Sequence, residues 1–229
     1  MIDSNELDPA VSLFHELFPP GVLTAYDGTN RIPPAPLPEE QWLVARAVPK
    51  RSLEFARGRA CAHEALGGLG IHGLPILSGA RREPLWPTGV VGTISHTDGM
   101  CAAAVALASG YEGVGIDLEP ERPLSARIAR TVCTRSELGE AERALAFEPL
   151  LIARLLFCAK ESVYKCQYPS TSRFLTFDDV QIRLEACGGF SVQACRIAFE
   201  NDWPARLRGR WRCGAGFFVA AAWLVAMKP

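Results

Sequence analysis

The 229-residue sequence lacks a hydrophobic segment long enough to cross a bilayer, and it lacks an excess of charge of either sign. Its longest apolar run, near residues 216–227, is shorter than a membrane span and predicts a buried strand. With 24 Lys and Arg against 25 Asp and Glu, the net charge of −1 provides no basic field for nucleic acid. The first residues lack the basic and apolar regions of a secretory signal. We therefore expect a cytoplasmic protein that binds neither nucleic acid nor membranes.

The sequence also lacks the cysteine spacing of a disulfide or zinc framework. Free thiols in a reducing compartment are the simpler interpretation, because no two cysteines form a CxxC pair. The eight scattered cysteines are Cys61, Cys101, Cys133, Cys158, Cys166, Cys187, Cys195 and Cys213. Hydrophobic residues make up 48% of the chain, which is enough for the core of one large domain or two small ones.

Two carboxylates are present on one face of a predicted strand. Asp117 and Glu119 lie in the segment 115–120, and because strand side chains alternate, they share a face roughly 7 Å apart. The residues between and before them are apolar, so the opposite face is predicted to be buried. Two like charges beside a core are costly unless a cation neutralises them. Carboxylate oxygens suit magnesium, which completes its coordination with water and substrate phosphates. This pattern favours phosphate chemistry.

A charged run in a predicted buried helix adds cations to these acids. Glu161 and Lys165 are four residues apart and therefore neighbours on one helical face, with Lys160 beside them. An ordinary surface ion pair is the alternative interpretation, and such pairs contribute little. However, residues 150–159 are apolar nearly all round, which predicts a buried helix. A charged run in such a helix favours a functional role.

These two segments resemble a known family. Gly-Ile-Asp-Leu-Glu at 115–119 and Phe-Cys-Ala-Lys-Glu-Ser-Val-Tyr-Lys at 157–165 are similar to the paired signature of the 4′-phosphopantetheinyl transferases. The resemblance is to the surfactin-synthetase-activating and enterobactin-synthase component D types rather than to the short holo-acyl-carrier-protein synthases. Segments 50–62, 81–87 and 92–97 agree with the family's first basic helix, its basic turn and its Ser-His motif, in the same order. The match runs from about residue 40 to 177.

The resemblance implies an α+β pseudo-dimer of two similar halves, with the active site between them. The expected halves are 1–110, which would bind the 3′-phosphate and adenine of coenzyme A, and 111–229, which would carry the metal and the catalytic helix. Predicted helices cover 39–48, 52–69, 124–132, 137–146 and 149–168, and predicted strands cover 91–95, 100–107, 114–119, 180–184, 190–195, 208–212 and 217–225. Residues 19–38 are rich in proline and are predicted to be turn-like. A faint likeness between 209–223 and 92–107 agrees with two related halves.

The resemblance also implies an activity. The phosphopantetheine arm of coenzyme A would move to a serine of an acyl or peptidyl carrier protein, releasing 3′,5′-ADP. Asp117, Glu119 and Glu161 would hold Mg²⁺, although the sequence does not distinguish Mg²⁺ from Mn²⁺. Glu161 or Lys165 would be the general base, with Asp117 also in the catalytic set. Carriers of siderophore, polyketide, nonribosomal peptide or fatty-acid systems all stay open, and the length predicts a monomer that carries both halves.

Coenzyme A contacts are implied for further residues. Arg51 and Arg59 on the first basic helix and His96 after a strand would bind the 3′-phosphate. Either Arg81 or Arg82 would contribute from the basic turn. The remaining implied contacts are Ser95, Lys160, Lys165 and Leu175. Arg57 alone is better explained as part of a solvated basic face, and Arg127, Arg130 and Arg135 are candidates for carrier docking or for an ordinary solvated surface.

Two other function classes use some of the same residues. A magnesium-dependent phosphohydrolase acting on nucleotides or coenzyme A would use the same acids and cations without a carrier protein. A non-catalytic regulator that binds coenzyme A would not need the three acids, whereas all three are present here.

Overall fold

The computed structural model describes residues 10–29, 32–194 and 202–227. Its α-helices are α1 (Val11–Phe14), α2 (Pro38–Gln41), α3 (Pro49–Gly68), α4 (Ala126–Val132), α5 (Arg135–Ala144), α6 (Pro149–Thr171) and α7 (Trp203–Arg206), with a 3₁₀ turn at Trp42–Val44. Its strands are β1 (Val22–Asp27), β2 (Leu77–Ser78), β3 (Pro84–Leu85), β4 (Val90–Thr97), β5 (Met100–Leu107), β6 (Tyr111–Pro120), β7 (Val180–Leu184), β8 (Gly189–Ala194), β9 (Arg208–Gly214) and β10 (Phe217–Val225).

The strands form two main antiparallel sheets. The first has the order β1-β5-β4 and the second β6-β10-β9-β8-β7, while β2 and β3 make a small separate ribbon. Alternate residues of β5 explain the layering, since Cys101, Ala103 and Val105 pack under α3 while their neighbours face the second sheet. The second sheet packs its other face against α6. The layers therefore run α3, first sheet, second sheet, α6, which confirms the predicted α+β fold of two halves.

The two halves meet where β4 lies beside β6. The Thr93 hydroxyl of β4 accepts a hydrogen bond from the backbone N–H of Ile116 on β6 at 3.2 Å. The division of the chain at 110/111 falls in the turn between β5 and β6, and it stays a prediction. We call the line between β4 and β6 the seam.

Most predicted elements lie where the sequence pattern put them. The predicted strands at 100–107, 180–184 and 217–225 have the observed bounds, and the long helix extends three residues further, to Thr171. Proline begins this helix, and Ser172 ends it in the left-handed conformation with φ of 52°. Residue 195, the end of another predicted strand, lies outside the described residues.

The proline-rich segment was predicted wrongly in part. Within 19–38, residues 22–27 form β1, which pairs along its full length with β5 from Val22 opposite Ala106 to Asp27 opposite Cys101. The flanking prolines and glycine suggest turns, but the pairing partner is far away in the sequence. The helix predicted for 39–48 is also shorter, because α2 ends at Gln41 and continues only as a 3₁₀ turn.

The seven cysteines within the described residues are free thiols, as expected. In the described ranges, no helix is both long and apolar enough to cross a membrane.

Candidate active site

The seam brings together the predicted strand acid and the predicted helix lysine. Lys165 of α6 donates to Asp117 Oδ1 at 2.6 Å and to the backbone carbonyl of Ile116 at 3.2 Å. Ser95 of β4 joins them from the other half, since its hydroxyl donates to Asp117 Oδ1 at 2.9 Å and accepts from Lys165 at 3.0 Å. Ser95 and Asp117 are both buried. Ser95 therefore connects the two halves at this carboxylate, and its hydroxyl is engaged within the protein.

Glu119 is held by an arginine that the sequence analysis did not assign. Arg154 of α6 donates to Glu119 Oε2 at 2.6 Å and to the backbone carbonyl of Arg122 at 3.1 Å. Burial and the nearby Asp117 raise the pKa of Glu119, while Arg154 opposes this. The spacing held a signal for this pair, because Arg154 lies seven residues before Glu161 and thus on the same face of the helix.

Glu161 is the carboxylate without a counterion. It is half-buried, and within the described ranges no side chain forms a hydrogen bond or ion pair with it. Burial raises its pKa, and the negative charge of Asp117 raises it further, with Lys165 opposing. Such a carboxylate takes up a proton more readily than an exposed one. We call Asp117, Glu119 and Glu161, with Lys165 and Arg154, the seam cluster.

The carboxylate oxygens of the seam cluster are ligands of the kind that a hard cation such as Mg²⁺ prefers. Asp117 Oδ2 is buried and has no hydrogen-bond partner among the described residues, which is costly for a carboxylate oxygen. Glu161 is likewise unpaired, so two carboxylates have oxygens free to bind an ion. In the described part of the chain, no three Asp, Glu, His or Cys side chains are grouped closely enough to hold an ion as they stand. Glu119 would have to share its oxygens with Arg154.

A second polar group lies at the start of α3. Arg51 Nη1 is 2.8 Å from His96 Nε2, and Glu54 Oε2 is 3.6 Å from Arg51 and 4.0 Å from His96. Because the guanidinium can only donate, the facing ring nitrogen accepts, which assigns a neutral imidazole. Burial lowers the pKa of His96, and the charges of Arg51 and Lys165 lower it further, against the opposing effect of Glu54. The structure therefore places the two predicted residues Arg51 and His96 in direct contact.

Arg59 has a buried and poorly satisfied guanidinium. Only 6% of the residue is exposed, and its Nε has no hydrogen-bond partner. Its contacts are an ion pair with Glu40 at 3.7 Å and the ring of Phe55 at 4.5 Å from the guanidinium carbon. Burial lowers its pKa, with Glu40 opposing. A guanidinium carries five N–H donors, and the described residues give the Nε donor of this one no hydrogen-bond acceptor.

Arg57, two residues earlier, is the opposite case. It is 8% exposed and donates to Asp27 Oδ2 at 2.9 Å, to the Asp27 carbonyl at 3.0 Å and to the Thr29 carbonyl at 2.7 Å. These bonds tie α3 to the end of β1. The alternative of a solvated basic face for Arg57 is wrong, because the side chain is a buried structural contact.

The predicted basic turn reaches the second half. The guanidinium of Arg81 lies 6.0 Å from the ring centroid of Phe174, which in turn packs edge-on against Tyr164 of α6 at 5.7 Å. Arg82 adopts the left-handed conformation at φ of 67°. Both arginines are exposed, and Arg81 is the one whose contact with the second half is seen.

A cavity of about 400 Å³ opens beside Glu161. It is lined mainly by apolar and aromatic groups: Lys160, Glu161, Tyr164, Phe174, Leu175, Thr176, Phe177 and Val180. Leu175, a predicted contact, is thus on its wall. The aromatic residues of this wall were not assigned from the sequence, although Tyr164 lies one helical turn from Glu161.

Lys160 requires a correction. Its ammonium is buried, donating to Glu137 Oε2 at 2.9 Å and to the backbone carbonyls of Val132 and Phe177, each at 2.8 Å. Glu137 also accepts from the backbone of Ile182 at 2.7 Å. Three acceptors inside the protein use all three N–H donors of this ammonium, so no donor is left for a coenzyme phosphate. We call Glu137 and Lys160 the buried strut, because they join α4, α5, α6 and β7.

Comparison with known proteins gives two family models that match the chain. One, described as the 4′-phosphopantetheinyl transferase N-terminal domain, matches residues 39–106, and the other, described as the 4′-phosphopantetheinyl transferase superfamily, matches residues 113–220.

Curated relatives agree with these models. The 4′-phosphopantetheinyl transferase Svp of Streptomyces mobaraensis is 42% identical over 80% of this chain and 76% of its own length. The 4′-phosphopantetheinyl transferase PptT of Mycobacterium tuberculosis is 37% identical over 81% of this chain and 85% of its own. The enterobactin synthase component D of Salmonella typhimurium is 35% identical over 51% of this chain and 48% of its own.

Proposed function

The chain belongs to the 4′-phosphopantetheinyl transferase superfamily, and from this premise we propose that it transfers the phosphopantetheine arm of coenzyme A to a serine of a carrier protein. The enzyme class follows from relatives that carry this name at 36–42% identity over most of the chain. The products would be a holo-carrier protein and 3′,5′-ADP. The single observation that carries the proposal is the seam cluster, in which two buried or half-buried carboxylates have unpaired oxygens beside a lysine.

The first half would bind the 3′-phosphate of coenzyme A. Support comes from Arg59, whose buried Nε makes no hydrogen bond with a described residue and has only the longer ion pair with Glu40 at 3.7 Å, and from Arg51, which faces His96 at 2.8 Å. A phosphate would supply the missing acceptors for these donors. His96 would change from accepting to donating, which requires uptake of a proton. Arg81 would contribute from the edge of the cleft.

The second half would bind the diphosphate and the pantetheine arm. Asp117 and Glu161 would hold Mg²⁺ together with Glu119, and the ion would neutralise charge that builds on the diphosphate oxygens. Mn²⁺ offers similar coordination. The apolar cavity of about 400 Å³ next to Glu161 has the character expected for the uncharged arm, with Leu175 and Tyr164 on its wall.

The chemical step needs a base for the serine of the carrier. Glu161 is the better candidate, because it has no partner and because burial and Asp117 raise its pKa. Lys165 has acceptors for its N–H groups at Asp117, Ser95 and the Ile116 carbonyl, which suits a charged donor rather than a base. The serine oxygen would bond to the phosphorus that bears pantetheine, its proton would pass to Glu161, and the bond to the bridging oxygen would break. Lys165 would stabilise the charge on the phosphate oxygens.

The proposed partners are coenzyme A and a carrier protein or carrier domain, and a single chain supplies all of the proposed site residues. An apo-carrier protein incubated with this protein, coenzyme A and Mg²⁺ tests the proposal by intact mass. A gain of one phosphopantetheine on the carrier serine, lost with EDTA, is expected. Consumption of coenzyme A without modification of peptidyl, polyketide or fatty-acid carriers would contradict it and indicate a hydrolase.

A further inference from the structure

We infer that Gly113 and Gly115 are positioning residues of the active site. They allow the backbone of α6 to lie directly against β6, and this contact fixes the separation between Asp117 on the strand and Glu161 and Lys165 on the helix. The inference deepens the proposed function and rests on it, since it concerns the residues proposed to bind the cation and move the proton.

Both glycines lie on the strand face that carries Asp117, because every second residue of a strand points to the same side. A Cβ built at Gly115 would overlap the carbonyl oxygen of Ser162, and it would lie 2.7 Å from the amide nitrogen of Cys166 and 3.0 Å from its Cβ. Neither glycine is among those with positive φ. The requirement here is for space and not for an unusual backbone conformation.

The overlapping atoms belong to the helix backbone and cannot rotate away. A Cβ at Gly113 would overlap the carbonyl oxygen of Cys166 and would lie 3.2 Å from its carbonyl carbon. No truncation of the Ser162 or Cys166 side chain can remove these overlaps. A methyl group at either position would therefore push α6 away from β6, by about 1 Å at Gly115, since a packed interior transmits such strain.

The part of α6 that rests on the glycines is the part that carries the chemistry. Lys165 reaches Asp117 at 2.6 Å and the Ile116 carbonyl at 3.2 Å, and the Cys158 thiol is 3.3 Å from the Asp117 carbonyl. Each contact is at hydrogen-bond length, so a shift of this size breaks it. A misplacement of about 1 Å can lower a rate about 100-fold.

The anchors for the 3′-phosphate lie elsewhere. Arg51 and Arg59 are on α3 and His96 is on β4, so none of the three belongs to α6 or β6. The inference therefore separates catalysis from recognition of the 3′-phosphate. Loss of the glycine contact should lower kcat and the affinity for a divalent cation, while the ratio of the KM values for coenzyme A and dephospho-coenzyme A changes little.

The test compares Gly115→Ala with the wild-type protein, by carrier modification rates and by Mn²⁺ titration followed by electron paramagnetic resonance. We expect kcat to fall about 100-fold, together with weaker Mn²⁺ binding. Gly113→Ala should change both quantities in the same direction by a smaller factor. Gly139→Ala on α5 is the control, because a Cβ there would meet only Arg143 Nη1 at an ordinary 3.7 Å, and it should leave both quantities unchanged.

A second comparison distinguishes positioning from loss of stability. Asp117→Glu lengthens the carboxylate by one methylene, so it should weaken Mn²⁺ binding in the wild-type background and strengthen it in the Gly115→Ala background. A merely destabilising glycine substitution would give no such change of sign. Equal loss in both backgrounds would overturn the inference, and so would wild-type kcat and Mn²⁺ affinity in Gly115→Ala shown to be folded by circular dichroism. Absence of transfer and of Mn²⁺ binding in the wild-type protein would instead contradict the proposed function.

Discussion

Helix α6 has a cluster of charged side chains on each side, the buried strut and the seam cluster. The two clusters differ in how many of their polar atoms have hydrogen-bond partners. On one side, the buried strut pairs Glu137 with Lys160 at 2.9 Å and gives the lysine two further backbone acceptors. On the other side, the described residues provide no hydrogen-bond partner for the buried Asp117 Oδ2 and no ion pair for Glu161. Both clusters involve buried charge, so burial alone does not separate structure from function. The atoms without hydrogen-bond partners are what distinguishes the two, and they are the basis on which we propose that the seam cluster binds an ion and substrate.

The same contrast holds on α3. Arg57 donates to Asp27 and Thr29, whereas the buried Nε of Arg59 makes no hydrogen bond with a described residue and has only an ion pair with Glu40 at 3.7 Å. Each half of the protein thus contains one charged group whose hydrogen bonds are satisfied within the fold. Each half also contains one charged group with unsatisfied polar atoms, which we assign to the substrate.

The largest expected effect is at the open carboxylate. Glu161→Gln keeps the shape of the side chain and removes its charge and basicity, so we expect transfer activity to fall at least about 1000-fold from loss of cation binding and proton transfer. The folded pKa of Glu161 is raised, so its charged form destabilises the native state, and stability declines as pH rises through that pKa. Glu161→Gln should therefore be more stable than wild type at pH 7, with the difference disappearing at acid pH. Urea unfolding at pH 7 and pH 4 measures this, and a less stable variant at pH 7 would contradict it.

The buried strut should behave in the opposite way. Lys160→Met leaves the Glu137 carboxylate buried without its cation, which should destabilise the protein by about 3–5 kcal/mol. The double variant Glu137→Leu with Lys160→Met removes both charges and should recover most of that stability. Because Lys160 has no contact left for coenzyme A, the folded double variant should transfer phosphopantetheine near the wild-type rate. Thermal unfolding measures the stability of both variants, and carrier modification measures the activity of the double variant. A stable but inactive double variant would indicate that Lys160 does contact the substrate.

Substitutions of the α3 arginines should have a smaller effect, which is selective for substrates that carry the 3′-phosphate. Arg59→Met preserves the stem over Phe55 and removes the charge, and we expect the KM for coenzyme A to rise about tenfold or more, as for one lost charged hydrogen bond. The change should be much smaller with dephospho-coenzyme A, which lacks the 3′-phosphate. Arg57→Ala is the matched control, which should lower the melting temperature without changing either KM. Equal effects of Arg59→Met on the two substrates would show that Arg59 does not read the 3′-phosphate.

The smallest effect is expected at an ion pair outside both clusters. Glu112 accepts two hydrogen bonds from Arg206, at 2.8 and 2.6 Å, and chiefly for that reason its pKa lies below the usual value. This contribution is present above the unfolded pKa near 4.5 and is lost as pH falls through the lower folded pKa. Glu112→Gln should therefore cost about 1 kcal/mol or less at pH 7 and nothing at acid pH. Urea titrations at pH 7 and below pH 3 should show this convergence.

Much of this arrangement could be predicted from sequence because it depends on periodicity and order. The alternation at 115–119 placed Asp117 and Glu119 on one face, and the spacing of four placed Glu161 beside Lys165. The direction in which each side chain points could not be predicted. Lys160 precedes Glu161 by one residue and is therefore rotated by about 100° around the helix, which turns it toward α5 instead of the seam.

Non-local contacts account for the other differences. Strand β1 was missed because its local composition favours turns, while its pairing with β5 depends on residues far along the chain. The ion pair of Arg154 with Glu119 joins a helix and a strand 35 residues apart, and helical spacing only suggested its face. Gly115 was part of the recognised motif at 115–119 and Gly113 was not, and the steric role of both is evident only once α6 is seen to pack against them.

The most direct test of the central claim is the number of Mn²⁺ ions bound by three proteins: wild type, Glu161→Gln, and the double variant Glu137→Leu with Lys160→Met. Electron paramagnetic resonance of free Mn²⁺ during titration gives this number without relying on turnover. The open seam cluster predicts one ion in the wild type and in the double variant, and loss of that ion in Glu161→Gln. An ion retained with full affinity by Glu161→Gln, or lost from the folded double variant, would contradict the assignment of the two clusters.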